Sequence, residues 1–175
     1  MQKQQIIKLG LGGGCHWCTE AVFSSLNGVK NVQQGWLSST APNDQLSEGV
    51  LLEFDSEVIR LKDIVDIHLE SHSSKANHSM RDKYRSAIYV QNKHDETDVL
   101  QQLALLKAEN EQPNVTQVLP LNEFKCQSNE KYVDYFYQQP DKPFCKTHIM
   151  PKLKRLLVKH SDHFKKDSLS VINEH

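Results

Sequence analysis

Residues 5 to 26 read QIIKLGLGGGCHWCTEAVFSSL. The hydrophobic period changes once in this stretch, at the three glycines, and that change decides the fold. Gln5 to Leu11 is a short β-like apolar run, which Gly12-Gly13-Gly14 stops. Beyond it, Cys15, Cys18, Val22 and Leu26 recur at i, i+3, i+7 and i+11. That spacing predicts a helix with one buried face, ended by Asn27-Gly28. The chain therefore opens as strand, glycine turn and helix, with a cysteine at the junction.

The pattern continues outward. Val29 to Leu37 reads as a second strand, Ser38 to Ser47 as a polar loop, and Gly49 to Asp55 as a third, strongly apolar strand. Leu61, Ile64, Val65 and His68 predict a helix over about Arg60 to Ser71. The polar run Ser71 to Lys83 is a surface loop of a length that is often functional. Arg85 to Val90 is a strand. Asp95, with Asp98 at the fourth position, caps a helix whose buried face is Val99, Leu103 and Leu106, and Pro113 lies beyond its end. Val115 to Leu119 is a further strand, Glu130 to Gln139 a short helix, and Lys152 to Lys166 a helix. Interleaved strands and helices point to a sheet with helices packed against it, the strand order left open.

At 175 residues the chain suits one domain, and it is long enough to build a core without a metal or disulfide. The 21 Lys and Arg against 22 Asp and Glu leave a net charge of −1, which gives no reason to expect a general nucleic-acid or anionic-membrane surface. Lys146 to Lys166 holds seven Lys and Arg and one acid, and reads as a solvated face. No apolar run approaches the roughly 18 residues of a membrane span. The apolar stretch near Met1 is too short for a signal peptide. Four cysteines are too few for a disulfide scaffold, so the expectation is a cytoplasmic protein with free thiols.

The chemistry concentrates at Gly12-Gly-Gly-Cys-His-Trp-Cys18. Glycines let the backbone turn tightly and approach a ligand. A cysteine at a helix N-terminus gains thiolate character from the dipole and the free N–H groups, which makes Cys15 a candidate nucleophile, with a buried cysteine in a strand-to-helix turn as the equal alternative. Cys15 and Cys18 also form a C-x-x-C pair. It reads as a thioredoxin-like dithiol, as half of a zinc site, or as a nucleophile with a neighbour one turn along. Cys126 and Cys145 supply no second C-x-x-C, so the third reading is favoured. His68 reads as a core histidine, and His72 and His78 as loop histidines rather than a metal pair.

Gly14-Cys15-His16-Trp17-Cys18-Thr19-Glu20-Ala21-Val22-Phe23 resembles the G-C-F-W-x-x-E signature of peptide methionine sulfoxide reductase A. Gly35-Trp36 resembles its Gly-Tyr or Gly-Trp pair. Ser47-Glu48 and Val50 to Asp55 resemble H-A-E-x-V-x-x-x-(Y/F)-D. Asp82 to Tyr89 resembles T-Q-Y-R-S-x-I-Y, and Pro140 to Cys145 resembles N-P-x-x-x-Y-C.

The resemblance implies an α+β fold: a two-layer sandwich with a mixed β-sheet flanked by helices, one domain over residues 1–175, and an irregular segment near 138–150 carrying Cys145. It implies thiol-dependent reduction of methionine-S-sulfoxide, free or in peptides, with Cys15 as nucleophile, Glu48 as proton donor and Tyr84 binding the sulfoxide oxygen. Trp17, Trp36 and His16 would bind substrate. Cys145 is the first candidate to resolve the cysteine sulfenic acid, and Cys18 the alternative. It implies no metal or organic cofactor, recycling by thioredoxin or a similar dithiol, and a monomer. An apolar cleft around Glu48 would ready its carboxyl to donate a proton.

The chain departs from the pattern at His16 for Phe, at Ser79 for Asp, and in a shortened loop over Leu37 to Ser47. It reads as a divergent member with activity retained. The reading from another class is a reductase fold that binds oxidised methionine or a protein partner without turnover.

Overall fold

The computed structural model describes residues 5–72, 83–111 and 115–175. Strand β1 (Ile6–Gly12) runs into helix α1 (His16–Ser24) through the three glycines. Strands β2 (Val29–Ser38) and β3 (Ser47–Asp55) follow, then α2 (Leu61–Ser71), β4 (Ala87–Val90), α3 (Lys93–Asn110), β5 (Gln117–Pro120) and β6 (Glu123–Cys126). A four-residue helix α4 (Tyr135–Gln138), a π-helical turn (Cys145–Ile149), α5 (Met150–His160) and α6 (Lys166–Glu174) complete it.

The six strands form one mixed sheet in the order β5-β4-β1-β3-β2-β6. All pairings are antiparallel except β4 with β5, which α3 connects as a crossover. Side chains alternate across the sheet. Leu9, Leu11, Val50, Leu52, Phe54, Ile88 and Val90 face one side and join the main core with Val22, Phe23, Ile64, Ile67, Leu153 and Leu156 of the helices. This is the expected two-layer sandwich.

The opposite side carries a small second core of Leu37, Ala87 and Tyr89, with Leu119, Leu121 and Phe124 packed on it. Its floor is glycine. A Cβ on Gly49 or Gly10 would lie 2.4 or 2.5 Å from a Leu37 methyl, and one on Gly35 would lie 2.6 Å from the Phe124 ring. The missing side chains let this layer lie flat on the strands.

Several local expectations change. Asn92, not Asp95, caps α3: its Oδ1 accepts from the Asp95 N–H at 2.8 Å. An Asn outside the apolar period leaves no mark in a periodicity reading. Strand β3 begins at Ser47, so Glu48 lies inside the strand rather than beside it. Strand β6 and helix α6 were not foreseen. β6 is short and mostly exposed, and α6 buries only Ser168 and Ile172 fully. Cys145 sits in a helical turn continuous with α5 rather than in an irregular stretch. Ser79, His78 and Pro113 lie outside the described residues, as does most of the long polar loop.

Candidate active site

The glycine turn sets the position of Cys15. Gly13 has φ +143°, a conformation L side chains rarely adopt. The His72 ring fills the space where its side chain would be, 2.4 Å from an ideal Cβ. His72 is itself held: its Nδ1–H donates to the His68 carbonyl, and its Nε2 accepts from the Ser86 hydroxyl at 2.7 Å. His68 Nε2–H donates to the Gly12 carbonyl at 2.8 Å. Helix α2 thus grips the turn from below, and both histidines are structural.

Cys15 is the N-cap of α1. Its carbonyl accepts from Thr19 N at 3.1 Å and from Thr19 Oγ1 at 3.2 Å, while its side chain makes no capping bond and stays half-buried. Glu48 reaches the same helix end from β3: its Oε2 accepts from the His16 N–H at 3.3 Å. A carboxylate at a helix N-terminus meets the positive end of the dipole. The candidate nucleophile and the candidate acid therefore occupy one spot. The surroundings of Glu48 are polar, not the apolar cleft expected: the Lys83 ammonium lies 3.7 Å from Oε1.

The sulfur chemistry also differs from the expectation. Cys15 and Cys18 are hydrogen-bonded thiol to thiol, so they titrate as a pair. That bond lowers Cys18 to about 7, helped by the Lys152 ammonium and opposed by burial. The same bond raises Cys15, together with burial and the nearby charge of Glu48. The helix terminus alone does not decide which sulfur carries the charge, because a neighbouring thiol one turn along outweighs it. Cys145 is fully buried, and burial pushes its thiol up, with Cys18 adding to the effect. Cys126 is exposed on β6.

The remaining expected residues divide. Trp36 stands opposite Glu48 in the β2–β3 register, and the His16 ring meets it edge-on at 5.2 Å. The His16 ring is oriented by its Nδ1–H, which donates to the Gly35 carbonyl at 3.1 Å. Tyr84 follows Lys83, whose carbonyl accepts from Glu48 N at 3.0 Å and from Ser47 Oγ at 2.9 Å. These bonds tie the Tyr84 segment to the head of β3.

Trp17 is covered by its own chain. Its ring stacks on Tyr135 at 4.2 Å and on Tyr132 at 5.2 Å, with the Phe144 edge at 5.2 Å. Among the described residues no acceptor reaches its buried Nε1. Glu20 anchors this aromatic cover, its Oε1 accepting from Gln34 Nε2 at 2.7 Å and from Tyr135 N at 3.3 Å. Burial pushes the Glu20 carboxyl up. Tyr132, Tyr135 and Phe144 escaped the sequence reading. Their three-residue aromatic spacing in 132–135 was the available signal.

Cys15 and Cys18 belong to no group of three metal-type donors among the described residues. Among the described residues, the one group of three metal-type donors is Asp66, Glu70 and His160, between α2 and α5. Lys159 already bridges its carboxylates at 2.8 and 2.9 Å.

Comparison with known proteins agrees with this geometry. A family model described as peptide methionine sulfoxide reductase matches residues 7–165. Peptide methionine sulfoxide reductase MsrA of Trichodesmium erythraeum is 31% identical over 163 residues, covering 83% of this chain and 91% of that protein. The crystal structure of Mxr1 from Saccharomyces cerevisiae in reduced form superposes with a TM-score of 0.65 at 17% identity, over 84% of this chain and 93% of that one. The same yeast protein in complex with Trx2 superposes with a TM-score of 0.55 at 14% identity, over 75% of this chain and 87% of that one. Matched along nearly its whole length by one family's pattern, and carrying a cysteine and a carboxylate together at the head of its first helix, the chain belongs to the peptide methionine sulfoxide reductase family.

Proposed function

We propose that the chain reduces methionine sulfoxide, free or in peptides, to methionine at the expense of thiols. One observation carries the reading: the Glu48 carboxyl accepts from the His16 N–H, next to Cys15 at the N-cap of α1.

The paired sulfurs supply the nucleophile. When the hydrogen-bonded pair Cys15 and Cys18 has lost one proton, the other lies between the two sulfurs. Moving it from Cys15 to Cys18 makes a Cys15 thiolate without changing the charge of the pair. The thiolate attacks the sulfoxide sulfur, and Glu48 and Tyr84 face the oxygen, with Glu48 giving the proton that oxygen needs. Oxygen passes to Cys15 as a sulfenic acid, methionine leaves, and His16 and Trp36 wall the substrate side chain. A second thiol then displaces water from the sulfenic acid and closes a disulfide. An external dithiol such as thioredoxin reopens it by exchange. The solved complex of Mxr1 with Trx2 supports that partner. No step calls for a metal or organic cofactor.

For the resolving thiol the geometry favours Cys18 over Cys145. Cys18 is already hydrogen-bonded to Cys15, whereas Cys145 is fully buried in a helical turn. The test is turnover of both sulfoxide epimers with dithiothreitol, comparing wild type, Cys15→Ser and Glu48→Gln. Cys15→Ser is inactive, and Glu48→Gln loses about 10²-fold or more in kcat. A Cys15→Ser variant that still turns over refutes the mechanism. Mass spectrometry after one equivalent of methionine sulfoxide, with no reductant added, should find the Cys15–Cys18 bridge, and a Cys15–Cys145 bridge would reverse that assignment.

A further inference from the structure

The site described so far holds two acidic partners, a thiol pair and Glu48, and the atom that accumulates negative charge during attack is the sulfoxide oxygen. A cation facing that oxygen is the missing electrostatic part. The cation Lys152 lies on the sulfur side, its Nζ 4.0 Å from the position a Gly14 Cβ would take. Beside Glu48 and Tyr84 stands Lys83. Its Nζ lies 3.7 Å from Glu48 Oε1 and 5.1 Å from the centre of the Tyr84 ring. Its backbone is pinned, because the Lys83 carbonyl accepts from both Glu48 N and Ser47 Oγ. The root of the side chain is therefore fixed beside the acid, while the ammonium is about half exposed and able to turn toward a ligand.

We propose that Lys83 is a catalytic residue of this chain: its ammonium donates a hydrogen bond to the sulfoxide oxygen, beside Tyr84 and Glu48, and opposes the charge that develops there as Cys15 attacks the sulfur. The inference rests on the reductase reading above. The proton balance is unchanged, since Glu48 still supplies the transferred proton and Lys83 stays protonated throughout. Hydrogen bonding to Tyr84 raises the Lys83 ammonium above its ordinary value.

A group that acts on developing charge lowers the barrier more than it tightens the ground state. The experiment is steady-state turnover of a chromophore-labelled methionine sulfoxide with dithiothreitol for wild type, Lys83→Met, Lys83→Gln and Lys83→Arg, with a thermal melt of each. Lys83→Met should lose roughly 10- to 100-fold in kcat, less than the roughly 100- to 1000-fold of a fixed oxyanion donor because this one is half exposed, with KM moving less than about threefold. Lys83→Gln should fall between Lys83→Met and wild type, and Lys83→Arg should keep most of the activity. Melting temperatures should be unchanged. Lys83→Met within twofold of wild type in kcat, or Lys83→Arg as impaired as Lys83→Met, overturns the inference and leaves the reductase reading standing. A wild-type chain without turnover overturns the reading beneath it, and this inference with it.

Discussion

Replacing Gly13 with alanine tests the claim that helix α2 holds the catalytic turn. The backbone there sits at φ +143°, where an L side chain is strained by about 1–3 kcal/mol. The new Cβ would also lie 2.4 Å from His72 Cδ2 and 2.6 Å from Nε2, so the imidazole must move. Moving it breaks its hydrogen bonds to Ser86 Oγ and to the His68 carbonyl, each with a net worth of about 0.5–1.5 kcal/mol. The sum is about 2–6 kcal/mol, a large part of the roughly 5–15 kcal/mol that holds a domain folded. A loss of about 4 kcal/mol lowers Tm by roughly 8–16 °C in a chain of this size. The assay is urea unfolding followed by circular dichroism, run as a double-mutant cycle with His72→Ala. Without the imidazole, the alanine should cost only the backbone strain, so the two changes should couple by about 1–3 kcal/mol. If Gly13→Ala costs the same in both backgrounds, or less than about 1 kcal/mol in each, the ring does not hold the turn and the reasoning fails.

Lys152→Met removes a cation that lowers the Cys18 thiol, so the pH midpoint of Cys18 alkylation should move up relative to wild type. A midpoint unchanged by the substitution would show that the thiol–thiol hydrogen bond acts alone. Ion pairs made by the α2 carboxyls Asp63 and Glu70 add to the acid sensitivity of the fold. Burial pushes Asp63 and Glu70 up, but Arg60 and His163 around Asp63, and Lys159 and His160 around Glu70, more than offset it and leave both carboxyls below their ordinary values. A lowered carboxyl contributes stability above its unfolded pKa of about 4 and loses it as pH falls through the folded value. Asp63→Asn should therefore be less stable than wild type at pH 7 and lose less stability between pH 5 and pH 3. Denaturant midpoints across that range check this, and an unchanged slope would refute it.

How much of this was legible follows from what a linear pattern can hold. The strand–glycine–helix junction at residues 5 to 26 shows in the sequence because period, glycine and cysteine all act within a few residues of one another. Cys15, Glu48, Trp36 and Tyr84 were each singled out by residue type within a motif, and the register of β2 against β3, with the Ser47 and Lys83 bonds, explains how residues so far apart meet. Strand β6 and helix α6 went unseen because neither has a strong apolar period. Trp17 stacks on Tyr135, because the Glu20 bonds draw the chain near residue 135 back over α1, a partner no linear pattern shows.

The sequence by itself determined that a reactive cysteine would stand at the start of a helix, since local propensity and glycine placement suffice for that. Only the tertiary structure decided what the cysteine feels. Its charge depends on Cys18, Glu48 and Lys152 acting through space, and the oxygen side depends on a lysine whose backbone is clamped to another strand. Electrostatic energy falls with distance between atoms, not with separation along the chain, so the identity of the chemistry is written in the motif while its tuning exists only after folding.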